Sequence, residues 1–233
     1  MKTAILVNGL YQPSVQTLGE LIDNIEEVFP DTDVYFHTWE EYLSDIPKSI
    51  KVESCPEPII HYDTLLDTKT PDTINCNLDL KNRRETLRGH KNYQNSSKQI
   101  IGYADLYEKV SDGYDTFIRL RWDTQIDTKI DFSSLLRKCE KKPIGFMTGK
   151  SGLQGNLKRQ VPRRATDFLP DQMIFHHKDH FDPQLVHELH RSKKLLPAEW
   201  GYWQVLCRPN NLTHVPYEGG ATIARRYNLY KSH

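Results

Sequence analysis

A chain of 233 residues, 37% hydrophobic and 27% charged, is long enough to bury a core without the help of disulfides. Lys plus Arg equals Asp plus Glu at 31 each, so no global field steers the chain toward nucleic acid or an anionic membrane. The four cysteines (Cys55, Cys76, Cys139 and Cys207) form no CxxC pair, which argues against a structural zinc site and a dense disulfide framework and for reduced thiols.

The apolar run Ala4-Ile5-Leu6-Val7 is too short for a secretion signal, and no stretch approaches the ~18 apolar residues of a membrane span. The expectation is a soluble, cytoplasmic protein without a transmembrane segment. The same run, closed by Asn8-Gly9, has the pattern of a strand buried on both faces. Residues 14–29 follow with Val15, Leu18, Leu21, Ile22, Ile25 and Val28 at helical spacing, capped by Ser14 and stopped by Pro30. Val34-Tyr35-Phe36 reads as a second strand ending at His37-Thr38-Trp39. Strand, helix and strand in this order open a parallel, doubly wound sheet.

Residues 47–92 carry four prolines and only short apolar runs, so the reading there is long loops with one edge strand at 50–52. Residues 96–110 fit an amphipathic helix ended by Asp112-Gly113. Residues 114–123 form a strand of alternating character. Residues 132–139 are read as a helix, 144–147 as a strand and 149–169 as a polar loop. Further on, 173–175 is a short strand, with helices at 183–193 and 199–206. Neither an internal repeat nor a boundary between two domains is visible. The expectation is one domain over 1–233.

The densest chemistry is Arg119-Leu120-Arg121-Trp122-Asp123 at the end of the predicted central strand, where open α/β sheets bind ligands. Asp123 offers hard oxygen ligands to Mg²⁺ or Mn²⁺. Arg119 and Arg121 share a strand face and suit bidentate pairing with phosphate. An internal Arg–Asp salt-bridge set explains the same residues equally well.

The strand ending in Asn-Gly, the second ending in His-Thr-Trp, and Tyr114-Asp115-x-x-Ile118-Arg119-x-Arg121-x-Asp123 together resemble glycosyltransferases of GT-A type, similar to WavE-like lipopolysaccharide-synthesis proteins and viral sugar transferases. The resemblance implies a three-layer, Rossmann-like α/β fold with a mostly parallel sheet and helices on both faces. It implies a metal-dependent, inverting enzyme that moves a sugar from a nucleoside diphosphate donor, UDP-linked by preference, to an acceptor hydroxyl. Residues 1–123 would bind the donor, and residues 124–233 would bind acceptor and catalyse. Arg121 stands where the first Asp of the family's DxD would be, so Asp123 would hold Mn²⁺ or Mg²⁺ with little help.

On this resemblance Asn8, Gly9 and Leu10 pass beneath the nucleoside, since Gly permits close approach of backbone. His37, Thr38 and Trp39 lie beside the base or ribose, with a core aromatic as the competing reading of Trp39. Asn95, Ser97 and Lys98 would offer a helix start to phosphate, against simple N-capping by Asn95 or Ser96. Trp122 belongs to the same donor side. For the base that activates the acceptor, the candidates are Glu199, beside Trp200, Tyr202 and Trp203, and Asp171. The competing reading makes Glu199 a first-turn helix residue and Trp200 and Trp203 core packing. His214 in the tail is a possible metal or diphosphate ligand. His176, His177 and His180 with Asp179 suggest a metal cluster, but the spacing fits a polar loop better.

Lys158, Arg159, Arg163 and Arg164 put four positive charges in seven residues, a solvated loop or a contact for a phosphate-bearing acceptor. That acceptor would be a surface-glycan precursor or hydroxymethylated cytosine of phage DNA, the latter requiring access to the base. The alternative from another class is a non-catalytic module that binds nucleotide or nucleic acid on the same scaffold.

Overall fold

The computed structural model describes residues 2–11, 15–60, 87–147, 169, 171–196, 198–213, 215–218 and 221–223. In chain order the elements are β1 (Thr3–Asn8), α1 (Val15–Val28), β2 (Asp33–Trp39), β3 (Val52–Cys55), α2 (Leu87–Val110), β4 (Thr116–Leu120), β5 (Thr124–Ile126) and α3 (Phe132–Cys139). They continue with β6 (Ile144–Met147), β7 (Met173–His177), α4 (Pro183–Arg191), α5 (Ala198–Leu206), β8 (Val215–Glu218) and β9 (Ala221–Ile223).

Seven strands form one sheet in the order β3-β2-β1-β4-β7-β6-β8, and β5 pairs with β9 in a small antiparallel ribbon. The pairs β1–β2, β1–β4, β2–β3 and β6–β8 are parallel, while β7 runs against both β4 and β6. Six of the seven strands therefore point one way. The expected three-layer, Rossmann-like and mostly parallel sheet is present, and it draws strands from both halves of the chain.

Alternation along each strand sends side chains to two separate cores. On one face Ala4, Leu6, Phe117 and Ile174 meet Ile100, Tyr103 and Leu106 of α2, Val186 of α4 and Val205 of α5. On the other, Ile5, Val7, Ile118, Leu120 and Phe175 meet Leu18, Leu21 and Ile25 of α1 and Leu135 of α3. Because both faces are covered, β1 reads as a continuous apolar run in the sequence. Local caps fix the helix starts: Asp131 accepts from the Ser133 amide at 3.0 Å, and Asp182, before Pro183, accepts from the Gln184 amide at 2.9 Å.

Several boundaries differ from the sequence reading. The helix expected at 96–110 begins at Leu87, inside the stretch read as loop, because polar residues such as Asn95 and Ser96 hide the period of its first turns. The edge strand expected at 50–52 is Val52–Cys55. His176 and His177 belong to β7 rather than to a loop. The ribbon β5–β9 and strand β8 were not legible, being only three or four residues each. Among the described residues, no helix is long and apolar enough to cross a membrane.

Candidate active site

At their carboxyl ends β1, β2 and β4 converge, and the antiparallel β7 brings Asp171 and Gln172, just before its start, to the same edge. The centre is Arg119, whose side chain is fully buried in the middle of the sheet. Its Nε donates to Asn8 Oδ1 at 3.0 Å, one Nη donates to Gln99 Oε1 at 2.9 Å, and the other donates to the Asp171 carbonyl. The guanidinium stacks over the Tyr202 ring at 4.8 Å. Asn8 Nδ2 in turn donates to the Gln99 carbonyl at 2.6 Å. One buried cation thus ties β1, β4, α2, α5 and the entry to β7 together through neutral acceptors, which is how a buried charge is kept satisfied.

Two residues on, at the strand end, Arg121 grips Asp123 through two parallel bonds of 2.8 Å, and both side chains keep about a quarter of their exposure. The Arg121 amide donates to Thr124 Oγ1 at 3.0 Å, and that hydroxyl donates to the Gln172 carbonyl at 3.1 Å. This turn therefore abuts the segment of Asp171. Asp171 itself is nearly buried, and its charge adds to the burial that raises the Tyr202 hydroxyl to about 12.

The floor of the edge is built from β1 and β2. Gly9 has φ of 120°, a conformation that favours glycine, and its carbonyl accepts from Thr38 Oγ1 at 3.0 Å. The Tyr11 amide donates to the same Thr38 oxygen at 3.2 Å. Trp122 is buried, donates its indole N–H to the His37 carbonyl at 2.9 Å, stacks on Phe36 and meets Tyr11 edge-on. Leu10 is half-buried beside Gly9.

The expected donor-side residues fall into two groups. Asn8, Gly9, Leu10, Thr38, Arg119, Arg121, Trp122 and Asp123 share this edge. The His37 and Trp39 side chains instead face α2, where both rings press on Gly102, so Trp39 packs as a core aromatic. Burial pulls the His37 imidazole down to about 4.

The reading of Asn95, Ser97 and Lys98 as a phosphate-receiving helix start is corrected. They lie more than a turn inside α2, where backbone amides bond to the helix's own carbonyls. Lys98 pairs with Glu57 at 2.7 Å. The residue of α2 that does reach the edge is Gln99, which the sequence reading passed over. Its signal was its place one turn before Gly102 on the sheet-facing side of α2.

Glu199 occupies the first turn of α5, three positions before Tyr202. Trp200 and Trp203 on the same helix are half-buried, and Trp203 packs on the core. His214, Lys158, Arg159, Arg163 and Arg164 lie outside the described residues. The histidines once weighed as a metal cluster do other work: buried His176 bonds Tyr103 Oη at 2.5 Å and is pulled down to about 3 by burial, and His177 caps the turn Lys178–His180.

The fit of a divalent metal at Asp123 can be tested on its partners. Both carboxylate oxygens already accept from Arg121, and no group of three His, Cys, Asp or Glu side chains among the described residues includes Asp123. The described side chains suit a guanidinium at this carboxylate and do not by themselves form a Mg²⁺ or Mn²⁺ site.

No family model and no curated protein matches the chain. Solved structures match over nearly its whole length. A 4-diphosphocytidyl-2C-methyl-D-erythritol synthase from Anaerococcus prevotii is 7% identical with a TM-score of 0.50, covering 97% of this chain and 93% of its own. A glycosyltransferase involved in glycosylation of the major capsid of PBCV-1 is 9% identical with a TM-score of 0.44, covering 94% and 82%. A putative glucose-1-phosphate thymidylyltransferase from Bacillus anthracis, in complex with a sucrose, is 10% identical with a TM-score of 0.43, covering 99% and 98%. At these identities the likeness is one of fold.

Proposed function

We propose that the chain is a transferase that takes a sugar from a nucleoside diphosphate donor, UDP-linked by preference, and passes it to an acceptor hydroxyl. The observation that carries this reading is the partly exposed Arg121–Asp123 pair at the carboxyl end of the central strand, on the sheet edge that also carries the left-handed Gly9 and Asp171. Carboxyl ends of such sheets are where nucleotides bind. Residues 1–123 form the donor side in this reading, with the nucleoside over Asn8, Gly9, Leu10 and Thr38.

In the reaction the acceptor oxygen forms a bond to the anomeric carbon while the bond from that carbon to the diphosphate breaks. The electron pair leaves on the diphosphate oxygen, and the acceptor's proton goes to a carboxylate, Asp171 or Glu199. Arg121 answers the charge developing on the leaving group. Arg119 is committed to its buried acceptors and acts by holding Asn8 and Asp171 in place. No step requires a metal held by the described side chains; Mn²⁺ or Mg²⁺ would arrive with the donor.

The acceptor is a glycan precursor or a modified base of DNA, and Lys158, Arg159, Arg163, Arg164, Trp200 and Trp203 are its candidate contacts. The test is release of nucleoside diphosphate from a panel of nucleotide sugars, with and without acceptor. Acceptor-dependent release by the wild type, absent in Asp123→Ala, supports the transferase. Binding without release favours the non-catalytic nucleotide-binding module.

A further inference from the structure

Away from that edge, three chemically mixed side chains meet between the outer strands and α2. His37 on β2, Cys55 at the end of β3 and Asp105 on α2 place one nitrogen, one sulfur and one oxygen within 4.8 Å of one another. Cys55 Sγ is 3.4 Å from His37 Nε2 and 3.3 Å from Asp105 Oδ2. Asp105 lies six residues beyond Gln99, or ~9 Å along the helix axis, so the trio is separate from the proposed donor site.

We propose that His37, Cys55 and Asp105 bind a borderline-soft divalent ion of the zinc class. With zinc bonds of about 2.3 Å to sulfur and 2.0–2.2 Å to nitrogen and oxygen, neighbouring ligands of a tetrahedron stand about 3.5 Å apart. The two contacts of Cys55 are close to that spacing without rearrangement. The donor set of thiolate, imidazole and carboxylate selects zinc-like ions over Mg²⁺ or Ca²⁺.

Four further observations bear on the site. His37 is fully buried, and its Nδ1 has no partner among the described residues, so the ring's polar contact is spent on Cys55 alone. The second oxygen of Asp105 faces His187 Nε2 at 3.7 Å, and that nitrogen also meets Glu108 Oε2 at 3.4 Å. Such outer partners orient a ligating carboxylate. Lys109, one turn beyond Asp105 on α2, bonds Glu53 at 3.5 Å and the Ser54 carbonyl at 3.4 Å, and its charge also reaches His37 and Cys55. Cys55 and Asp105 are half-exposed, which leaves an entry path. On binding, the thiol proton passes to solvent and the thiolate takes its place on the ion. The ion would clamp the edge strand β3 and its neighbour β2 to α2, with water in the fourth position.

Co²⁺ is the probe, because its thiolate complexes show a near-ultraviolet charge-transfer band. The wild type and Cys139→Ser, whose sulfur is buried on the opposite face of the sheet, should show the band, saturating at one ion per chain. Cys55→Ser should lose it. Asp105→Asn, which keeps an acceptor for the thiol but loses the charge, should bind more weakly, by roughly the 10–100-fold typical of altered zinc shells or more. Absence of the band in the wild type, or its survival in Cys55→Ser, overturns the proposal. Alkylation of Cys55 in the wild type, read by peptide mass with and without Zn²⁺, gives the same answer if Cys55→Ser does not fold. Protection by Zn²⁺ supports the site, and unchanged labelling overturns it.

Discussion

Arg119 Nε donates to Asn8 Oδ1 at 3.0 Å and so locks the ends of β4 and β1 together under the candidate site. Because Gln99 and the Asp171 carbonyl complete the guanidinium's partners, no shorter or less forked side chain can replace it. Arg119→Lys should destabilise the fold by roughly 1–3 kcal/mol for each buried acceptor left unpaired. Urea denaturation measures this; an unchanged midpoint would mean that water replaces the lost bonds.

The Arg121–Asp123 pair is more exposed, so its contribution to stability is small, about 1 kcal/mol or less. Arg121→Ala and Asp123→Ala should therefore melt close to the wild type while losing transfer. Loss of folding in both would mean that the pair is structural.

For the acceptor's base, Asp171→Asn and Glu199→Gln remove the charge with little change in shape. One of them should lower kcat by about 10²–10⁴-fold while leaving donor affinity unchanged, the usual contribution of a general base. Steady-state kinetics on both variants identifies the group, and full activity in both would remove carboxylate base catalysis from the account.

Gly102 and Gly201 are close-approach positions. A Cβ at Gly102 would stand 2.5 Å from Trp39 and 2.8 Å from His37, and one at Gly201 would stand 2.2 Å from the Leu196 carbonyl. Either Gly→Ala change should cost roughly 1–3 kcal/mol through overpacking. Gly19→Ala, with nothing within 4 Å, is the control and should not destabilise.

Acid sensitivity should come from buried histidines. Burial lowers His37 to about 4 and His176 to about 3 from 6.5. A depressed folded-state pKa gives stability that is fully present above 6.5 and is lost as pH falls toward 3. The effect is on the order of several kcal/mol in total. The carboxylates held low by neighbours, Asp33 and Asp115, act only below their ordinary 3.8, so the window between 6.5 and 4 belongs to histidine. Urea midpoints across that range should fall with pH, and His176→Gln should flatten the slope.

Much of the fold was legible because its strands are doubly covered. The apolar run of β1, the alternating strand at β4 and the 3.6-residue period of α1 leave few other arrangements. The start of α2 was not legible, since its first turns carry His90, Lys91, Asn92 and Asn95 rather than a periodic apolar face. In the candidate site, Arg121 and Asp123 were visible as charges at a strand end, and the alternative of an Arg–Asp pair is the arrangement the side chains adopt. That Arg119 is buried and Arg121 half-exposed was not visible, because alternation gives them the same face and only the depth of β4 within the sheet separates them. Cys55 and Asp105 are fifty residues apart, and His37 reads as part of a strand end, so their meeting depends on the path of α2 across β2 and β3.

The most direct measurement is the melting temperature of the wild type and Arg121→Ala against a panel of nucleoside diphosphate sugars, with Mn²⁺ and with EDTA. A donor at 100 times its Kd stabilises the fold it binds by about 2.7 kcal/mol, a readable shift. The account predicts that one donor class raises the wild-type melting temperature and that Arg121→Ala loses the rise while melting normally without ligand. No rise with any donor, or an equal rise in both proteins, would contradict it.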